Sequence, residues 1–132
     1  MLLMVFDWTK YLELAEYIAK KSNEFPDKEA CYRASVSRAY YAAYRTTCVY
    51  LTKADKGRFK DGGSHQDVQN YLRKGNKLRR TISNQLKALH FDRKKADYHD
   101  EIRDRNPSYL SGKSIKTAKK IINKLEDSSK MV

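Results

Sequence analysis

Glycine and proline are scarce in this 132-residue chain, at five and two. That scarcity argues against a turn-rich β fold and for long helices. There are only two cysteines. Cys31 and Cys48 stand 17 residues apart in what reads as one helix, roughly 25 Å at the usual rise. That is far beyond disulfide reach, so both are expected to be buried, reduced and inert, as suits the cytoplasm. Three histidines and two cysteines, none at ligand spacing, leave no metal site in prospect. No cofactor is expected either, since Gly62-Gly63 lacks the context of a phosphate-cradling loop. Long apolar runs are also missing. The opening Met1 to Phe6 is apolar but has no basic lead and stops at Asp7. It is too short for a signal-peptide core or a membrane span, so no membrane is expected, and residues 1–6 read as an extension that packs on the core or a partner subunit.

Acidic residues are outnumbered, 16 against 28 basic, which leaves a net charge of +12. Such a field concentrates polyanions and speeds their capture. Nucleic acid is the first candidate partner and an anionic membrane surface the second. Basic charge alone names neither, and it also serves plain solubility. The length fits one domain over residues 1–132, long enough to bury roughly two thirds of its unfolded surface.

Apolar residues recur at helical spacing almost throughout. Asp7 reads as an N-cap for a helix over 8–22, with Trp8, Tyr11, Leu12, Ala15, Ile18 and Ala19 on one face. Asp27 can cap a longer helix to about Thr52, whose stripe is Ala30, Ala34, Ser37, Tyr41, Tyr44, Cys48 and Leu51. Lys53 to Gly63 is a loop. Ser64, with Asp67 three residues on, resembles a capping box for a short helix over 65–74, which Gly75-Asn76 ends. From Lys77 a further helix carries Leu78, Ile82, Leu86 and Leu89, and its rhythm continues to 93 and 96. Asn106-Pro107 is a break, and Ser111 or Ser114 starts the last helix, with Ile115, Ala118, Ile122 and Leu125 facing inward. Residues 128–132 should fray. The expected fold is all-α, an up-and-down bundle of four or five helices.

Arg93 breaks the pattern. It falls in the apolar stripe 82, 86, 89, 93, 96, where a guanidinium must be paired or must border a wet cleft. Asp97, one turn on, is the natural partner in an intrahelical pair, which would not preclude a functional role. His99 lies six residues after Arg93, leaving the two about 120° apart on a continuous helix. They converge only if the helix opens near Tyr98 or a second subunit supplies its own pair. His65 and His90 read as lone polar residues at a surface or helix edge. Tyr40, Tyr41, Tyr44 and Tyr50 could stack bases, though core packing is the commoner use of such residues.

Ser37-Arg38-Ala39-Tyr40-Tyr41-Ala42-Ala43-Tyr44 resembles the Ser-Arg-Ala-Tyr-Tyr-Ala signature of prokaryotic HEPN proteins (higher eukaryotes and prokaryotes nucleotide-binding). Ser64-His65 before a short helix is similar to the same group, and so is Arg93-Lys94-Lys95-Ala96-Asp97-Tyr98 after a leucine-rich helix. The resemblance spans roughly residues 8–126. It implies a helical bundle that forms a homodimer and acts on RNA, as a metal-independent endoribonuclease of a toxin–antitoxin or phage-defence system. A minimal nucleotidyltransferase antitoxin is then a possible partner. The alternative is a non-catalytic dimer that holds RNA, a nucleotide or a nucleotidyltransferase. The family's ribonuclease motif, an Arg, four to six residues and a His, is met by Arg93 and His99, with Lys94 in the polar position after the Arg. On this scheme His99 moves the proton and Arg93 forks onto the scissile phosphate. Lys94, Asp97, Tyr98, Arg79 and Arg80 are the candidate substrate contacts.

Overall fold

The computed structural model describes residues 5–130, and among them there is no strand. The elements are α1 (Lys10–Lys20), a 3-10 turn (Ser22–Glu24), α2 (Lys28–Ala54), α3 (His65–Arg73), α4 (Lys77–Tyr98) and α5 (Pro107–Lys130). The long α2 is the axis of an all-helical bundle, packed against α1, α4 and α5, while α3 lies on α4. This central position explains why α2 is buried on most sides, at Val36, Ala39, Tyr40, Ala42, Ala43, Tyr44, Cys48 and Leu51. The expected single stripe is therefore too narrow at one end and misplaced at the other: Ala30 and Ala34 are exposed. Ile82, Leu86 and Leu89 of α4 and Ala118, Ile121, Ile122 and Leu125 of α5 complete the core. Full burial of one such aliphatic side chain contributes about 1.5–3 kcal/mol.

Helix starts follow short polar side chains. Asp27 accepts from the Ala30 amide at 3.1 Å, Ser64 from Asp67 at 3.0 Å and Asn76 from Arg79 at 3.0 Å. At α1 the expected cap is displaced. Asp7 instead accepts from the amide and hydroxyl of Thr9, and the helix begins at Lys10. The last helix starts about one turn before Ser111 and two before Ser114, the expected starts. Pro107, whose missing N–H costs nothing in a first turn, opens it, and Asn106 accepts from the Ser108 amide at 2.8 Å. Ser111 is buried and donates to Ser35 at 3.0 Å. α5 runs on through Ser128 to Lys130, so the onset expected for fraying is still helical, and residues 131–132 lie outside the described part.

Residues 1–4 of the expected N-terminal packing segment also lie outside it. Val5 is exposed, and Phe6 meets Trp8 and Tyr11 edge-to-face at 4.8 and 5.4 Å. Cys31 and Cys48 are both free, the first partly exposed and the second buried. Among the described residues no helix is long and apolar enough to cross a membrane.

Candidate nucleic-acid interface

Two of the three segments on which the resemblance rests, Ser37–Tyr44 and Arg93–Tyr98, meet in space. Ser37, Arg38, Tyr41 and Arg45 on α2, Arg93 and Asp97 on α4, Tyr11 on α1 and Trp8 just before it line one open cavity of about 380 Å³. Spacing explains the α2 contribution: positions 37, 38, 41 and 45 fall on one side of a helix. On α4, positions 93 and 97 are one turn apart.

Arg93 is held inward, its side chain 11% exposed. Its Nε donates to Asp97 Oδ2 at 2.8 Å and its Nη2 to the Tyr98 hydroxyl at 3.2 Å. The guanidinium lies 5.1 Å from the Tyr41 ring centre and 5.3 Å from that of Tyr98. Asp97 thus provides the intrahelical pair that the spacing suggested. It also accepts from Ser37 Oγ at 3.1 Å, which ties α4 to α2. Arg93 Nη1 makes no hydrogen bond among the described residues.

The other two guanidiniums have less. Arg38 stacks on Tyr11 at 4.9 Å, and its only hydrogen bond among the described residues is a long one, 3.4 Å, to Ser37 Oγ. Arg45 lies over Trp8 at 4.7 Å, and its Nε is buried with no partner among the described residues. Neither pairs with a carboxylate there, so three cations face a cavity in which Asp97 is the sole anion. Arg45 also borders Gly62. The φ of +99° there is one that side-chain-bearing residues rarely adopt, and a Cβ would also displace the Arg45 guanidinium end, 2.1 Å away, so glycine suits the turn. The adjoining Gly63 carbonyl accepts from the Tyr44 hydroxyl, fixing the loop over this end of the cavity.

Behind Arg93 lies a cluster that the sequence reading passed over. The His65 and His90 rings stack at 4.6 Å and 27°. The Tyr40 hydroxyl is 2.5 Å from His65 Nδ1, and the Tyr44 ring is 4.6 Å from that of His65. Burial lowers the His65 pKa, with Arg93 adding to it. Burial also pushes His90 down to about 4, helped by His65, Lys94 and Arg93. Both imidazoles are therefore neutral at neutral pH. Burial raises Tyr44 to about 12, so it stays protonated. His90 also lines a second cavity, a polar groove of about 510 Å³ with Gln66, Lys87, Lys94, Lys95, Arg105 and Lys113 along it. Asp104 and Asp92 pair with Lys95 and Lys113, which leaves Lys87, Lys94 and Arg105 as the groove's unpaired cations among the described residues.

The candidate site residues divide accordingly. Arg93, Asp97 and Tyr98 come together, and Lys94 is exposed on the neighbouring groove. His99 does not join them. α4 ends at Tyr98, His99 turns extended as its C-cap, and its side chain is exposed. Its carbonyl, with those of Ala96 and Asp100, accepts from the Arg33 guanidinium, an arrangement that satisfies the end of α4. Arg79 lies about 21 Å away along α4 and is engaged there: it grips Asp55 through two bonds of 2.8 Å. Arg80 bonds the Gly75 carbonyl at 2.8 Å and is otherwise exposed. Arg38, Arg45, His65 and His90 were not among the candidates. His90 had a signal: it precedes Arg93 by three residues, about 60° away on the helix, half the angle that separates His99. Among the described residues no cluster of three or more potential metal ligands exists.

No family model, curated protein or solved structure matches the chain.

Proposed function

We propose that this chain acts on RNA as a HEPN-like, metal-independent endoribonuclease that holds the scissile phosphate on Arg93. One observation carries the reading: Arg38, Arg45 and Arg93 converge on a single cavity that offers them one carboxylate. Arg93 has Asp97, but Arg38 and Arg45 have no carboxylate among the described residues. Cations left partly desolvated and unpaired are costly, and a phosphodiester would repay that cost by accepting charge-assisted, forked hydrogen bonds from the cluster. Trp8, Tyr11 and Tyr41 in the same wall suit bases or riboses stacking beside the phosphate. The net charge of +12 draws the polyanion in. The wider reading is a cytoplasmic homodimer serving a toxin–antitoxin or phage-defence role, with a minimal nucleotidyltransferase as its possible antitoxin.

A second reading has its own support. His99 stands apart from Arg93 within one chain, which suits a dimer that binds RNA without cutting it. Incubation with single-stranded RNA in EDTA separates the two. The first reading expects 2′,3′-cyclic phosphate ends, lost in Arg93→Ala. Intact RNA after long incubation, bound with a steep salt dependence, would favour the second.

A further inference from the structure

We propose that His90, rather than His99, is the proton-transferring catalytic residue of this site, acting on the nucleotide whose phosphate Arg93 holds. The inference rests on the ribonuclease reading above and adds to it the residue that does the chemistry.

The geometry favours His90 in three ways. His90, Arg93, Lys94 and Asp97 occupy about 100° of the α4 surface, whereas His99 would project from the opposite side of the helix to His90. In fact His99 lies past the helix end, exposed. Second, the imidazole and the guanidinium flank one ring: His90 is 5.4 Å and Arg93 6.0 Å from the Tyr40 ring centre. Third, His90 lines the basic groove with Lys94 and Lys87, while Arg93, next to Lys94 in the chain, lines the arginine pocket. A strand that lies in the groove and places one phosphate on Arg93 brings the attached ribose to the His90 side. His65 holds the ring in place by stacking on it, and Tyr40 in turn fixes His65.

The step balances without a metal. Neutral His90 takes the proton of the ribose 2′-hydroxyl. The 2′ oxygen forms a bond to phosphorus, and the bond from phosphorus to the 5′ oxygen breaks. The 5′ oxygen leaves with a proton drawn from water, and the imidazolium neutralises the hydroxide so formed. The products are a 2′,3′-cyclic phosphate and a 5′-hydroxyl. The depressed basicity of His90 keeps the ring in its proton-accepting form at neutral pH.

Single-turnover cleavage of a labelled single-stranded RNA in EDTA tests this, with RNA affinity measured alongside by fluorescence anisotropy. The expected result is a loss of at least about 100-fold in rate for His90→Gln, with affinity within about twofold of the parent protein. His90→Phe keeps an aromatic ring against His65 and Tyr40 but has no ring nitrogens, and it should lose the same activity while folding normally. Added imidazole should restore part of the rate to His90→Ala, a rescue that a packing role would not produce. His99→Ala should cleave normally. Full activity in His90→Gln and His90→Phe beside an inactive His99→Ala would overturn this inference and leave the ribonuclease reading standing. A parent protein that cleaves nothing, or an Arg93→Ala protein that cleaves normally, would bring down the ribonuclease reading and this inference with it.

Discussion

Replacing Arg45 with methionine should make the protein more stable and weaken its hold on RNA. Arg45 Nε is buried without a partner among the described residues, and an unsatisfied buried donor costs about 1–3 kcal/mol. What the change gives up is the stack on Trp8 at 4.7 Å, worth about 0.5–1 kcal/mol for a cation over a ring. A thioether recovers part of that against the indole. The net gain is about 1 kcal/mol, read as a raised urea midpoint with unchanged slope. Trp8 is the only tryptophan, so its emission reports from inside the pocket. For RNA the sign reverses. One charge-assisted phosphate contact, about 1.5–3 kcal/mol, is lost, and affinity for a labelled single strand should fall about tenfold or more. Stability rising while binding falls is the mark of a residue kept for its ligand. An Arg45→Met protein less stable than its parent, with RNA affinity unchanged, would make Arg45 a structural strut and refute the reasoning.

Asp55→Ala tests the opposite kind of arginine. It strands Arg79 and the Tyr71 hydroxyl that the carboxylate serves, so unfolding free energy should drop by about 2–3 kcal/mol while RNA affinity holds. Because Arg79 keeps the Asp55 pKa at about 2, this contribution should be whole above pH ~4 and vanish as pH falls towards 2; urea titrations along that range check it. The histidine pair imposes its own acid sensitivity. The folded His90 pKa of about 4 lies below its unfolded value near 6.5, so the unfolded chain takes up the proton first. Stability should therefore fall between pH 6.5 and 4. A gap of that size corresponds to at most about 3 kcal/mol, reduced to roughly 1–2 kcal/mol by partial exposure. His90→Gln should flatten the curve in that window, and an unchanged curve would show that His90 is not held neutral.

Arg93 was legible because a permanent charge in the stripe of Ile82, Leu86, Leu89 and Ala96 contradicts its surroundings, and its partner Asp97 lay one turn away. Caps at Asp27 and Ser64 were legible for a similar local reason: each bond is made within three residues. The start of α5 was misplaced because Pro107 reads equally as a break and as a first turn, and only packing of Leu110 on Val36 and Ala96 decides between them. The His65–His90 stack joins residues 25 apart through the docking of α3 on α4, which no local pattern encodes. Nor does sequence reveal that Arg45 has no carboxylate partner among the described residues, while Arg79, with the same chemistry, has one. That contrast depends on whether the fold delivers a carboxylate to each, and Asp55 reaches only Arg79.

The arginine pocket is tested most directly by the slope of log affinity against log salt for single-stranded RNA. Each phosphate contact on a single strand contributes about −0.7 to that slope. Because the three arginines share one phosphodiester, the protein carrying Arg38→Gln, Arg45→Gln and Arg93→Gln together should show a slope shallower by about 0.7 than its parent. An identical slope in the two proteins would mean that RNA phosphates do not sit on these three residues.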